Sequence, residues 1–163
     1  MEGRGLPMTT VRNLFMFSLK EISVITEANS ILDKKARYTN SICIPSLAFS
    51  LCRTKLAYLE SEAFAVAYLD CKNRLISFDV VFTGTVNSAN VYSRDVVKLA
   101  LKYNAVNVIF SHNHPSGEPT PSAADKAVTK RLTEALTLFN ISVLDHIIVG
   151  VEGCTSFAER GLI

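Results

Sequence analysis

Residues 111–125 read SHNHPSGEPTPSAAD. The stretch holds two of the chain's three histidines, His112 and His114, then Pro115, Gly117, Pro119 and Pro121, then Ser122 and Asp125. A short apolar run, AVNVIF (105–110), leads straight into His112 and suits a buried strand. AADKAVTKRLTEALTLF (123–139) follows and has the spacing of a long amphipathic helix, with Ala124, Val128, Leu132, Leu136 and Phe139 as its apolar positions. The quoted stretch is therefore the loop between a strand and a helix. Side chains at i and i+2 of an extended chain point to one side, so His112 and His114 can reach a single metal ion. A catalytic zinc usually keeps three protein ligands and a water. Asp125, in the first turn of the helix, is the natural third ligand; Glu118 in the loop and Asp145 on a later strand are less well placed. A plainer reading competes, because Ser122-x-x-Asp125 is also a capping box, and a carboxylate bound to metal is only partly free to cap.

Working outward, ISVLDHIIVGV (141–151) reads as a further apolar strand. Upstream, SRDVVKLALKYN (93–104) reads as a helix capped by Ser93, with Val96, Val97, Ala100 and Leu101 inward. AFAVAYLD (63–70) suits a buried strand, CKN a turn, and RLISFDVVFTGT (74–85) the second strand of a hairpin. SLAFSLCRTKLAYLE (46–60) reads as a helix that Ser46 could cap, with Leu47, Leu51, Leu56 and Leu59 as its apolar positions. TNSICIPS, containing Pro45, breaks it from an earlier helical stretch, ISVITEANSILDKKAR (22–37), whose Ile25, Ala28, Ile31 and Leu32 share a side. Strands and helices alternate after an initial hairpin, which predicts an α/β domain with a mixed sheet flanked by helices. Residues 1–40 are expected to form a helical appendage and 41–163 the domain.

The 163 residues suit one domain with a real core. A net charge of +2 with no run of like charges does not point to nucleic acid. Cys43, Cys52, Cys71 and Cys154 form no C-x-x-C pair and are expected to be free thiols in a reducing compartment. The apolar patch LFMFSL (14–19) is too short for a membrane span, and no small-residue cleavage site follows it. A cytoplasmic location is the expectation. His146, alone on an apolar strand, is expected to be a hydrogen-bonded core residue.

His112, His114, Ser122 and Asp125 also fill the spacing of the JAMM (MPN+) metalloprotease pattern: His-x-His, seven residues, Ser, two residues, Asp. The segments EAFAVAYLDCKNRLI, FTGTVN, HNHPSGEPTPS, LDHIIVG and SFAERGL resemble RadC, a bacterial branch of that family, over residues 41–163. The resemblance implies a JAB/MPN-type fold and one Zn2+ per chain, held by His112, His114 and Asp125. It further implies that Glu62, just before the first buried strand, takes a proton from the attacking water, and that Ser122 helps to hold the developing oxyanion. The implied reaction is hydrolysis of an amide or isopeptide bond in a protein or peptide substrate. A zinc ion lowers the pKa of its water to about 7, and a nearby carboxylate can then work as base and later as acid. Glu60 shares a face with Glu62 if the chain is extended there, but it lies further from the strand.

Long RadC proteins carry an N-terminal helix-hairpin-helix region, a DNA-binding type of module that needs glycine in its hairpin. No glycine occurs between Gly5 and Gly84, so a short form without that region is expected. The letters HNH at 112–114 do not make an HNH nuclease, whose residues are dispersed through a ββα element. A zinc deaminase would show H-x-E and P-C-x-x-C, which are absent. Three functions stay open: a zinc metallopeptidase, a non-catalytic MPN interaction scaffold, and a DNA-repair-associated accessory protein. Filled motif positions favour the first. Substrate identity and oligomeric state are not encoded in any motif.

Overall fold

In the computed structural model, residues 18–36, 42, 45–84 and 91–163 are described. The elements are α1 (Leu19–Ala36), α2 (Pro45–Leu56), β1 (Ala63–Leu69), β2 (Leu75–Thr83), α3 (Ser93–Lys102), β3 (Asn107–Asn113), α4 (Ala123–Thr137), β4 (Ser142–Val149) and β5 (Cys154–Ser156). They build one five-stranded sheet in the order β2-β1-β3-β4-β5. β1 runs antiparallel to both β2 and β3, β3 and β4 are parallel, and β5 returns antiparallel to β4. The fold is α/β with a mixed sheet, as expected.

The sequence AFAVAYL explains how β1 serves as the middle of two cores. All seven of its residues are buried. Period-two alternation puts Phe64, Val66 and Tyr68 on one face, where they join Val96 and Ala100 of α3 and Val128, Leu132 and Leu136 of α4. Ala63, Ala65, Ala67 and Leu69 take the other face, under Ala48, Leu51, Cys52 and Leu56 of α2. The hairpin turn is held by Asp70, whose Oδ1 accepts the backbone N–H groups of Lys72 and Arg74, while Asn73 adopts a positive φ of 55°.

Several local expectations are corrected. α1 opens at Leu19, ahead of residue 22, because Ser18 and Glu21 cap each other reciprocally: Ser18 N–H donates to Glu21 at 2.6 Å and Glu21 N–H to Ser18 Oγ at 3.3 Å. α2 begins on Pro45, a residue suited to a first helical position whose missing N–H costs nothing there, so Ser46 lies inside the helix and is not its cap. α2 ends at Leu56, before Glu60, and gives way to a turn at Ala57 and Tyr58. α3 has Tyr92 at its N-cap position, with no side-chain cap bond; Ser93 is already helical. Leu101 is exposed rather than inward, as are Ile31, Leu47 and Phe139. β3 runs three residues beyond the apolar run and takes His112 and Asn113 into the sheet. β5 is too short to leave a periodic signal. Among the described residues, no helix is long and apolar enough to cross a membrane. The Leu32 side chain, Cys43 and the patch LFMFSL up to residue 17 lie outside the described residues.

Candidate metal centre

The carboxyl ends of the parallel strands β3 and β4 form the rim on which chemistry is expected in an open α/β sheet. β3 delivers His112 there, wholly buried and in register with Phe64 of β1 and Ile148 of β4. His114 lies just past the strand, tied back by its N–H to Val149 O at 2.8 Å. The chain then turns, with Gly117 N–H donating to His114 O at 2.9 Å and Gly117 at a φ of 97°. Glu118 O accepts from His114 Nδ1 at 2.8 Å. A carbonyl can only accept, so Nδ1 carries the proton and a neutral His114 presents a bare Nε2 to the site.

Asp125 completes the approach from the first turn of α4. Its Oδ1 lies 3.2 Å from His112 Nε2, and its Oδ2 lies 3.7 Å from His114 Nε2. The two Nε2 atoms are 2.9 Å apart. The capping box is present as well: Asp125 Oδ2 accepts from Ser122 N–H at 2.7 Å and from Ser122 Oγ at 2.6 Å, and Asp125 N–H donates to Ser122 Oγ at 3.1 Å. Capping therefore leaves Oδ1 clear of the helix end. One oxygen caps the helix while the other faces His112.

Glu62 joins these three. A carboxylate oxygen of Glu62, one ring nitrogen each from His112 and His114, and an oxygen of Asp125 all lie within 4.8 Å of one another. Glu60, by contrast, is exposed on the bend after α2 and stands outside the group. The parity that made it a rival fails because residues 60 and 61 form a bend, not strand. Glu62 is placed by its neighbours. Asn113, between the two histidines but on the opposite face of β3, donates from Nδ2 to Leu59 O and Ser61 O, each at 3.1 Å. Its Oδ1 accepts from Ala63 N–H at 2.8 Å, and Gly84 N–H donates to Glu62 O at 2.7 Å.

The electrostatics follow from this crowding. Burial alone would raise the Asp125 carboxyl, but the His112 and His114 rings against its oxygens and the hydrogen bond from Ser122 hold it well below the usual carboxylate range. The hydrogen bond to Asp125 raises the His114 imidazole above its ordinary value, against the lowering from partial burial. His146 is pushed well below its ordinary value, first by complete burial and then by His112. Two imidazoles, two carboxylates and a bare Nε2 in one small space fit a divalent cation of the zinc class; three ligands and a separate base are what such a site needs. Soft thiolates are not in the group, which disfavours a purely structural zinc site of the cysteine type.

Sequence reasoning missed three contributors. His146 is a buried core residue as expected, but its Nε2 contacts His112 Nδ1 at 2.8 Å. Asn113 was passed over as the spacer in His-x-His, although a buried polar residue on a strand must find partners. Gly150 left no signal at all: an added Cβ there would meet Gly117 O at 2.3 Å, so only glycine admits the His114–Glu118 turn against β4.

Residues 42–162 match the RadC-like JAB domain family. Relatives cover nearly the whole chain. The UPF0758 protein YfjY of Escherichia coli is 42% identical over 164 residues, spanning 100% of this chain and 99% of that protein. A UPF0758 protein of Vibrio cholerae is 46% identical over 142 residues, 87% of this chain and 90% of its own. A UPF0758 protein of Pseudoalteromonas translucida is 46% identical over 169 residues, 94% and 75% of the two chains.

Proposed function

The chain belongs to the RadC-like JAB domain family, and on that premise we propose that it is a zinc-dependent hydrolase of amide or isopeptide bonds, acting on a protein or peptide. The observation that carries this reading is the convergence of Glu62, His112, His114 and Asp125 on one point at the strand ends. His112, His114 and Asp125 would hold the ion. When bound, it supplies a Lewis acid that polarises a carbonyl and makes water acidic near neutral pH.

The chain's own groups do the rest. Glu62, half-buried and steadied on both sides by Asn113, accepts the proton of the attacking water at its carboxylate and passes it to the leaving nitrogen. Ser122 provides a hydroxyl donor. Its hydrogen points to Asp125 Oδ2 at 2.6 Å, and a rotation of that hydroxyl turns it to the developing oxyanion. The cap survives the rotation in part, since Asp125 N–H still donates to Ser122 Oγ.

The test is metal analysis of purified protein joined to cleavage assays on peptide and isopeptide-linked libraries, before chelation, after chelation and after zinc is restored. About one zinc per chain and zinc-dependent cleavage are expected. Cleavage that persists without metal sinks the proposal, as does a chain that binds no zinc.

A further inference from the structure

Behind His112 lies a line of hydrogen bonds that the metal-centre reading does not use. His112 Nδ1 meets His146 Nε2 at 2.8 Å, His146 Nδ1 meets Thr129 Oγ1 at 2.6 Å, and Thr129 Oγ1 donates to Asp125 O at 2.5 Å. All of these side chains are buried; His112 and His146 are at 0% exposure. The line starts on one ligand's ring and ends on the backbone of another.

Its direction can be worked out from donor inventory. A hydroxyl has one hydrogen, and a backbone carbonyl can only accept. Thr129 therefore spends its hydrogen on Asp125 O, and its oxygen offers only lone pairs to His146. His146 Nδ1 must then be the donor. The His146 ring is enclosed by Phe64, Phe110 and Phe157, with centroids at 5.4, 5.9 and 4.6 Å. A ring so enclosed is neutral, so a proton on Nδ1 leaves Nε2 bare. The bare Nε2 accepts from His112 Nδ1–H, and the lone pair of a neutral His112 ring is left on Nε2, facing Asp125 and His114. The reverse direction would set the Thr129 and Asp125 oxygens against each other at 2.5 Å with no hydrogen between them.

We propose that Thr129 and His146 form a one-way hydrogen-bond relay that fixes His112 in the tautomer able to bind a metal through Nε2, making His146 a positioning residue for the centre. The inference rests on the metal-centre reading but not on hydrolysis. Histidine ligands generally have the other ring nitrogen held by an acceptor. His114 uses a carbonyl for this, Glu118 O, whereas His112 uses a second neutral imidazole. The relay also refers two ligands to one frame. Asp125 enters from α4 and His112 from β3, and the Thr129 hydroxyl joins the helix backbone to the strand pair directly.

The experiment is long-range proton–nitrogen correlation NMR of the uniformly labelled full chain, with zinc added and after chelation. The chain has three histidines, so single substitutions assign every ring. Expected in both states is a neutral His146 with its proton on Nδ1, and a His112 protonated on Nδ1. A His146 proton on Nε2 overturns the relay. Zinc affinity, read by competition with a chelator, should fall about 10- to 100-fold in His146→Leu, which offers no acceptor. His146→Gln, which keeps an acceptor and a donor, should recover part of that loss. Thr129→Val should leave His146 with mixed tautomers. Unchanged zinc affinity and an unchanged His112 ring pattern in His146→Leu would also overturn the proposal. Should that variant fail to fold, the wild-type and Thr129→Val spectra decide. A chain that binds no zinc defeats the metal-centre reading, while the chelated spectrum still reports the direction of the relay.

Discussion

Asn113 Oδ1 accepts the Ala63 N–H at 2.8 Å, and this bond ties the rim of β3 to the residue that follows Glu62. With its Nδ2 bonds to Leu59 O and Ser61 O, Asn113 brackets Glu62 on both sides. Asn113→Asp replaces a donor that faces two carbonyls with an acceptor. Stability should fall by about 1–3 kcal/mol, from the groups left unpaired. Zinc content should hold, because the three ligands do not use this side chain, while turnover falls. Denaturant melts, metal analysis and cleavage assays on one preparation check this; loss of zinc together with activity would refute it.

Glu62→Gln should retain zinc and fold and lose turnover by about 100- to 10 000-fold, since the amide cannot take a proton. Glu60→Gln should leave both nearly intact, as Glu60 is exposed and outside the cluster. Side-by-side metal content and cleavage rates decide. An active Glu62→Gln, or a dead but zinc-replete Glu60→Gln, reverses the assignment.

Metal binding should be proton-linked. Asp125 raises the His114 pKa, so in the metal-free site a proton occupies His114 at higher pH than on a free imidazole. Zinc must displace that proton, and affinity should drop by roughly tenfold for each proton displaced per pH unit as pH falls through the His114 pKa. Competition titrations at pH 8, 7 and 6 measure the slope. A flat profile would exclude histidine ligation. His112→Ala, His114→Ala and Asp125→Ala should each lower zinc occupancy strongly.

Gly150→Ala forces its new methyl against Gly117 O and Pro119, which lie at 2.3 and 3.0 Å from the ideal Cβ. The turn has to move, and with it Glu118 O, which holds the His114 tautomer. A loss of about 1–3 kcal/mol is expected, with weakened zinc binding. Calorimetric melts with and without zinc test it: a variant matching the wild type in both shows that the loop tolerates the shift.

The Cys52 thiol is pushed up to about 12 from an ordinary 9.0, chiefly by burial on the sheet-facing side of α2. A raised folded-state pKa means stability that is complete below pH 9 and lost as pH rises towards 12. The unfolded chain releases a proton that the folded chain keeps, at about 1.4 kcal/mol per pH unit. Denaturant unfolding at pH 8 and pH 10 should show a decline that is about 1.4 kcal/mol smaller in Cys52→Ala. An identical decline in both proteins would refute the assignment.

The sequence by itself determined the local pieces and pointed to the candidate ligands. AFAVAYL and AVNVIF read as buried strands, and the spacing of Val128, Leu132 and Leu136 marked the inner face of α4. His112, His114 and Asp125 were legible because strand parity and a helix start put them within one short loop of each other. These are short-range constraints, carried by backbone periodicity and by residues near in the chain. The cap and candidate ligand roles of Asp125 looked only partly compatible because a sequence does not say that two oxygens of one carboxylate can face different ways.

Only the tertiary structure decided what reaches the centre from elsewhere. Glu62, which the sequence singled out only through the family resemblance, lies fifty positions before His112 and meets it because β1 pairs antiparallel with β3, Phe64 opposite His112. His146 arrives through the parallel pairing of β4 and comes to rest behind His112 only when the α4 crossover closes. Gly150 matters because the loop after β3 lies against it. Each depends on strand register and on which backbone passes where. Periodicity reports which face a residue takes, not which residue stands opposite, so register becomes determinate only when the whole sheet and both of its cores pack together.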